Sequence, residues 1–371
     1  MAERVRSSVE AARSHLDVLW RTGKVPGIQY LVVGPEQIVF DYAGGWADIA
    51  GGRPLTAATT MMAYSMSKTI TAAAVLQLVD SGKVKLDDPA DAYLESQPYG
   101  PGVTVRQLMS HTSGIPNPIP LRWVHSASCH NTFDERAALA SVLLEHPKLS
   151  SPPGTKYRYS NIGYWLLGCI VERASGETFP SYVREHVLQP LGIAPQELGY
   201  VVPNPRHHAK GYLEKYSLLN LVKRVLIARE LIGGYESRWV HLNDHYVNGA
   251  AFGGLVGNAR GFGRFLQDQL RPHSALFGVT TQQLFYTAQH TKNRTAIPMT
   301  LGWHIGTADG VRFFHKEGGG GGFHSMMRAY PSSKIAAVIM TNATGFDVCK
   351  VLDALDPRFL SATDDVGERA G

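Results

Sequence analysis

At 371 residues the chain is longer than one hydrophobic core usually supports, so two lobes are expected. Apolar residues make up 44% and charged residues 18%, which excludes a largely disordered protein. The formal charge of +5, from 36 basic and 31 acidic residues, comes without a long basic block, so no nucleic-acid partner is expected.

Residues 5–20 read as an amphipathic helix, and the stretch from Met1 to Trp20 lacks the apolar core of a signal peptide. No run of about 18 apolar residues occurs, so no membrane-spanning helix is expected. The three cysteines, Cys129, Cys169 and Cys349, are widely spaced and fit neither a disulfide framework nor a zinc motif. A reducing, cytoplasmic location is the expectation, with no metal or other cofactor.

Two strands follow, over residues 28–33 and 37–42, joined in hairpin fashion at Gly34-Pro35-Glu36. An apolar helix is expected over 65–80, stopped near Gly82. It opens with Ser65-Met66-Ser67-Lys68. Residues three apart share a helix face, so the lysine amine can hold or remove the serine proton and make the hydroxyl a nucleophile. A helix start also favours developing negative charge on that serine. Taken alone, the spacing is better read as a polar helix start with a solvated lysine.

The middle of the chain is helical in character, with helices over 104–111, 134–146, 161–174 and 258–270. The turn Pro152-Pro153-Gly154-Thr155 leads to Tyr159-Ser160-Asn161, placing Tyr159 at the mouth of a helix. Between Tyr212 and Gly254, residues Leu218, Leu221, Val222, Val225 and Leu226 recur at helical spacing, as a packed helix or as a lid over a cleft. Strands return over 301–305, 311–315, 323–330 and 335–341, with Asp309-Gly310 as a hairpin turn and a closing helix over 346–355. Lys316-Glu317-Gly318 runs into five consecutive glycines, Gly318 to Gly322, which let a substrate approach the strand backbone closely.

Ser65-x-x-Lys68, Tyr159-x-Asn161 and Lys316-x-Gly318, in that order, resemble the motifs of the serine β-lactamase and penicillin-binding-protein superfamily, above all class C β-lactamases and family VIII carboxylesterases. Leu86-Asp87-Asp88-Pro89, the stretch from Leu108 to Gly114, Pro190-Leu191-Gly192 and Gly253-Gly254-Leu255 extend the likeness along the chain. The resemblance implies a β-lactamase-like α+β fold. An antiparallel sheet from both chain ends (residues 1–85 and 295–371) carries N- and C-terminal helices. A mainly helical lobe (86–294) is inserted, with 212–254 as a possible lid segment.

It also implies a serine hydrolase with Ser65 as acylated nucleophile and Lys68 as its partner. Tyr159 would be the general base or share a proton with Lys68, and Lys316 would be a second cation lowering the phenol's pKa. Asn161 and Gly318 would line the substrate site, and the N–H groups of Ser65 and Gly319 would form an oxyanion hole. His324, just past the glycines, is a candidate for approaching the acyl group. One departure stands out. The middle residue of Lys-x-Gly is usually a hydroxyl that helps bind a substrate carboxylate, and here it is Glu317. That points to neutral ester or amide substrates. A β-lactamase, a D-amino-acid peptidase, an acyltransferase and a catalytically silent binding protein all remain open on the same residues.

Overall fold

The computed structural model describes residues 2–118, 123–217, 229–308 and 310–360. Helix α1 (Ala2–Arg21) leads into β1 (Gly27–Val33), β2 (Ile38–Asp48) and the short β3 (Arg53–Pro54). After the long central segment come β4 (His304–Ala308), β5 (Val311–Gly320), β6 (Phe323–Tyr330) and β7 (Ile335–Thr341). These form one seven-stranded sheet in the order β4-β5-β6-β7-β1-β2-β3, with every neighbouring pair antiparallel. The chain ends meet where β7 pairs with β1, with Leu31 opposite Val338.

Both central strands are buried along their whole length, which is why they read as near-continuous apolar runs. Side chains alternate between two cores. Tyr30, Val32 and Ile339 pack with Leu16 of α1 and Leu352 of the closing helix. Leu31, Val33 and Val338 face the larger core, which runs without a break into the central segment through Ile70, Leu167 and Phe265. A fully buried side chain of this size contributes about 1.5–3 kcal/mol. The expected α+β arrangement is the one observed.

The central segment holds α2 (Ser67–Asp80), α3 (Val105–Met109), α4 (Glu135–Glu145), α5 (Asn161–Ser175), the one-turn α6 (Ala250–Gly253) and α7 (Ala259–Leu270). Eleven of the 14 residues of α2 are buried, as expected of a helix that is apolar all round. Capping side chains mark the starts of the other long helices. Asp134, Ser160 and Asn258 each accept a backbone N–H from three residues on.

Five boundaries differ from expectation, the largest at β5, where the strand placed at 311–315 runs on to Gly320 because it stays paired with β6 as far as Phe323. The strand placed at 301–305 begins at His304, because the Thr300 hydroxyl accepts the Trp303 N–H and folds 300–303 into a turn. Strand β2 runs on to Asp48, drawn by its pairing with β1 as far as Gly45. The helix over 104–111 stops at Met109, and His111 adopts φ +56 beyond it. The closing helix, α8 (Val348–Leu355), starts at its Asp347 cap, two residues later than the apolar pattern suggested. The helical pattern of residues 218–226 and Asp309 of the hairpin turn lie outside the described residues. Among the described residues no helix is long and apolar enough to cross a membrane.

Candidate active site

Ser65 lies in a tight turn, Tyr64–Met66, that feeds directly into α2, so Lys68 returns one turn later on the same side. The turn is shaped by contact with β5. A Cβ at Gly318 would sit 2.0 Å from the Ala63 carbonyl oxygen, and one at Gly320 would sit 2.5 Å from the Tyr64 ring. These two glycines therefore serve an intramolecular approach, of strand to nucleophile turn, before any substrate is considered. Tyr64 itself takes φ +46, held by its hydroxyl's donation to the Gly321 carbonyl at 2.6 Å.

The structure brings five of the sequence-derived side chains together. The Tyr159 hydroxyl donates to Ser65 Oγ at 2.8 Å. Lys68 Nζ lies 3.1 Å from Ser65 Oγ, 2.7 Å from Asn161 Oδ1 and 2.6 Å from the Phe252 carbonyl oxygen. Lys316 Nζ sits 5.3 Å from the centre of the Tyr159 ring and has no hydrogen-bond partner among the described residues. Both lysines are wholly buried.

His324 goes elsewhere. It stands on β6 opposite Gly319, and its Nε2–H donates to Glu317 Oε1 at 2.6 Å. The alternation of β5 explains this, because Lys316 and Gly318 face the turn before α2 while Glu317 and Gly319 face the other way.

Burial governs the charges. It pushes Lys68 well below the ordinary lysine value, with the Lys316 charge adding to the effect. It brings Lys316 down to about 7. It also raises the Tyr159 phenol, which corrects the expectation that neighbouring cations would lower it. The reason is that a phenolate loses its hydration here while both lysines are themselves driven toward neutrality. The bond from Tyr159 to Ser65 pulls the other way and is outweighed.

Several supporting groups carried no usable sequence signal. Phe252 contributes a backbone carbonyl, presented by α6, and a ring whose centre lies 5.4 Å from Lys68 Nζ. Thr71 donates to the Ala251 carbonyl at 2.6 Å, and Ser67 Oγ accepts the Leu255 N–H at 3.0 Å, so α6 and the residues after it are stapled along α2. Glu135 accepts from the Ala250 N–H and from Trp165 Nε1, and burial raises its carboxyl to about 7. Asn117 Oδ1 accepts the Asn161 N–H at 3.0 Å. His111 Nδ1 accepts the Ser160 N–H at 3.1 Å while its ring packs 4.3 Å from that of Tyr159. Its setting in Ser110-His111-Thr112-Ser113-Gly114 was the one hint available.

Among the described residues one trio, Glu177, Glu185 and His186, gathers metal-ligating atoms, and it shares no member with this site. A groove of about 1110 Å3 between residues 93–98, α4 and α5 likewise contains none of these side chains.

Comparison with known proteins places nearly the whole chain in one family. The sequence model of the Beta-lactamase family matches residues 12–356. Penicillin-binding protein 4* of Bacillus subtilis is 25% identical over 337 residues, covering 89% of this chain and 72% of that protein. D-aminopeptidase of Cereibacter sphaeroides is 30% identical over 205 residues, 55% of this chain and 39% of that protein. Among solved structures, a penicillin binding protein from Bacillus halodurans has a TM-score of 0.70 at 25% identity, covering 92% of this chain and 100% of the other. EstCE1, described as a hydrolase with promiscuous acyltransferase activity, shares the fold at a TM-score of 0.69 and 19% identity, with 96% and 98% covered.

Proposed function

The chain belongs to the Beta-lactamase family, a superfamily of serine hydrolases, and on that footing we propose that it cleaves neutral esters, and amides more slowly, through an acyl-enzyme on Ser65. The observation that carries this reading is the set of contacts around Lys68 Nζ. Two of its three neighbours, Asn161 Oδ1 and the Phe252 carbonyl, only accept hydrogen bonds. A neutral amine has two N–H groups to give them, which leaves its lone pair facing the Ser65 hydroxyl. Burial favours that neutral form. The Tyr159 phenol meanwhile donates to Ser65 Oγ.

In the proposed reaction Lys68 takes the Ser65 proton as Oγ bonds to the substrate carbonyl carbon. The ammonium so formed stays held by Asn161 and Phe252. The N–H groups of Ser65 and Gly319 receive the developing oxyanion. When the carbonyl re-forms, the bond to the leaving alcohol or amine breaks, and the departing group takes a proton from the Lys68–Tyr159 pair. Water, deprotonated in turn by Lys68, then releases the acid and restores Ser65. Base and donor are thus assigned to Lys68 and Tyr159 respectively, because the phenol's raised pKa disfavours a resting phenolate.

The substrate class rests on Glu317. In place of the hydroxyl that would receive a substrate carboxylate stands a carboxylate, kept ionised by its hydrogen bond from His324. The Glu317 side chain faces away from the Ser65 turn, so a substrate carboxylate loses a donor at that position, and substrates lacking a carboxylate there are favoured. The D-aminopeptidase relative keeps amides within the reading.

Stoichiometric labelling by a fluorophosphonate is expected, and its loss in Ser65→Ala. Nitrophenyl acetate, butyrate and decanoate are expected to turn over faster than a D-alanyl amide, and that faster than a chromogenic cephalosporin. Cephalosporin turnover exceeding that of the short esters would overturn the ester assignment. Labelling that persists in Ser65→Ala would overturn the nucleophile.

A further inference from the structure

Tyr64, the residue before the nucleophile, holds φ +46, a left-handed conformation that a bulky side chain seldom adopts. Strain of this kind persists only where the surroundings enforce it, and here the glycine tract does so. Gly318 presses on the Ala63 carbonyl and the Met66 nitrogen, and Gly320 on the Tyr64 ring. Gly319, whose N–H is the second oxyanion donor, thus lies between two glycines that grip the chain on both sides of Ser65. Beyond them the Tyr64 hydroxyl reaches the Gly321 carbonyl at 2.6 Å.

That hydroxyl has a second neighbour. His245 Nε2 lies 3.0 Å from it, at the start of the short strand His245–Val247. Both side chains are buried, and the imidazole stands beside Gly321. The hydrogens can be counted. His245 Nδ1 is 2.9 Å from the Asn243 carbonyl oxygen, which only accepts, so Nδ1 carries a hydrogen. In the neutral ring Nε2 is then an acceptor. Tyr64 has one hydrogen for two acceptors, and burial keeps that hydrogen on the phenol. One short contact therefore lacks a hydrogen until His245 gains a proton. Nε2–H then donates to the Tyr64 oxygen, and Tyr64 donates to Gly321.

On the footing of the acyl-enzyme reading, we infer that Tyr64 and His245 are positioning residues for the oxyanion hole. The Tyr64 hydroxyl fixes the stretch from Gly319 to Gly321 against the Ser65 turn, and His245 holds that hydroxyl, more firmly once protonated. Burial keeps His245 below the ordinary histidine value; the Asn243 carbonyl and Asp244 oppose this, and His125, from the strand paired with it, adds to it. His208 and Tyr64 complete the titratable groups around the ring, the first kept neutral and the second protonated by burial. His245 is thus neutral at neutral pH and gains its proton in acid.

The test measures kcat and KM for nitrophenyl butyrate, and inhibition by butylboronic acid, whose tetrahedral adduct on Ser65 puts an oxygen in the oxyanion hole. Tyr64→Phe keeps the ring against Gly320 and removes only the hydroxyl. It should lower kcat by roughly 10- to 50-fold, less than outright loss of an oxyanion donor, with boronate affinity falling in step. KM should stay within about twofold, because the hole acts in the transition state. Taken as a ratio of wild type to Tyr64→Phe, so that the shared ionisation of Lys68 cancels, the cost should be larger at about pH 5.5 than at about pH 8. In a His245→Leu background the cost should shrink to under about threefold at both pH values. His245→Gln, whose amide donates without titrating, should restore the cost and leave it independent of pH.

A folded Tyr64→Phe protein with wild-type kcat and boronate affinity, or one changed only in KM, would overturn the inference. An equal cost in the wild-type and His245→Leu backgrounds, or a cost in wild type that ignores pH, removes His245 from it. Should His245→Leu fold poorly, the pH response of His245→Gln decides alone. Each of these outcomes leaves fluorophosphonate labelling of Ser65 intact. Absence of both labelling and turnover in wild type defeats the acyl-enzyme reading and this inference with it.

Discussion

Lys316 and Arg328 stand on neighbouring strands and face opposite sides of one sheet, both almost wholly buried, yet the protein treats them in opposite ways. Arg328 Nη1 donates to Asp353 at 2.7 Å and lies 3.7 Å from Asp356, which also accepts from the hydroxyls of Tyr30 and Tyr330. Burial still pushes the Asp356 carboxyl up to about 6, and Arg328 opposes that rise. Lys316 has aromatic faces around it and no acceptor among the described residues. The first arrangement satisfies a buried charge and locks the terminal helices to the sheet. The second leaves a cation uncompensated, and the amine responds by giving up its proton more readily. The lesson is that burial of an ion without a counter-charge is a sign of chemistry, whereas burial with one is a sign of architecture.

This contrast can be broken at its strongest point by Lys68→Ala. Turnover should fall by roughly three to four orders of magnitude, as for one member of a cooperating nucleophilic unit, while the denaturant midpoint changes little. Asp356→Ala should do the reverse. It leaves Arg328 with Asp353 as its remaining carboxylate and the Tyr30 and Tyr330 hydroxyls without their acceptor, and is expected to cost about 3–5 kcal/mol in a urea titration, with the specific activity of the folded fraction retained.

Lys316→Met sharpens the comparison through pH. Its folded pKa of about 7 lies below the ordinary 10.5, so between those values the unfolded chain binds more protons than the folded one. Wild-type stability therefore rises with pH across that window and the variant's does not. The variant's advantage measured near neutral pH should shrink by a few kcal/mol as the solution is made alkaline. The same change removes a like charge that lowers the Lys68 pKa, so the rise of the fluorophosphonate labelling rate with pH should move to higher pH.

The alternating and continuous apolar runs at both chain ends made most of the sheet legible, because strand burial writes itself into residue type at a period of two. Helices α4, α5 and α7 were legible from their caps. Ser65 and Lys68 could be set side by side from spacing alone, since one helical turn joins them. Their meeting with Tyr159 and Lys316 could not be read that way and was reached only through resemblance. Contacts across 94 residues, as between Tyr159 and Ser65, leave no periodic trace. The Phe252 carbonyl was invisible, because every residue type offers the same backbone oxygen.

What the sequence determined by itself was local: which segments become strand or helix, and that a hydroxyl and an amine share one turn. Tertiary structure decided the protonation. Only the closing of α6, α5 and β5 around two lysines and a phenol removes the water that would keep the amines charged, and residue type carries no record of how much water a neighbour excludes. The same packing turned His324 onto Glu317, two residues that are seven apart along the chain.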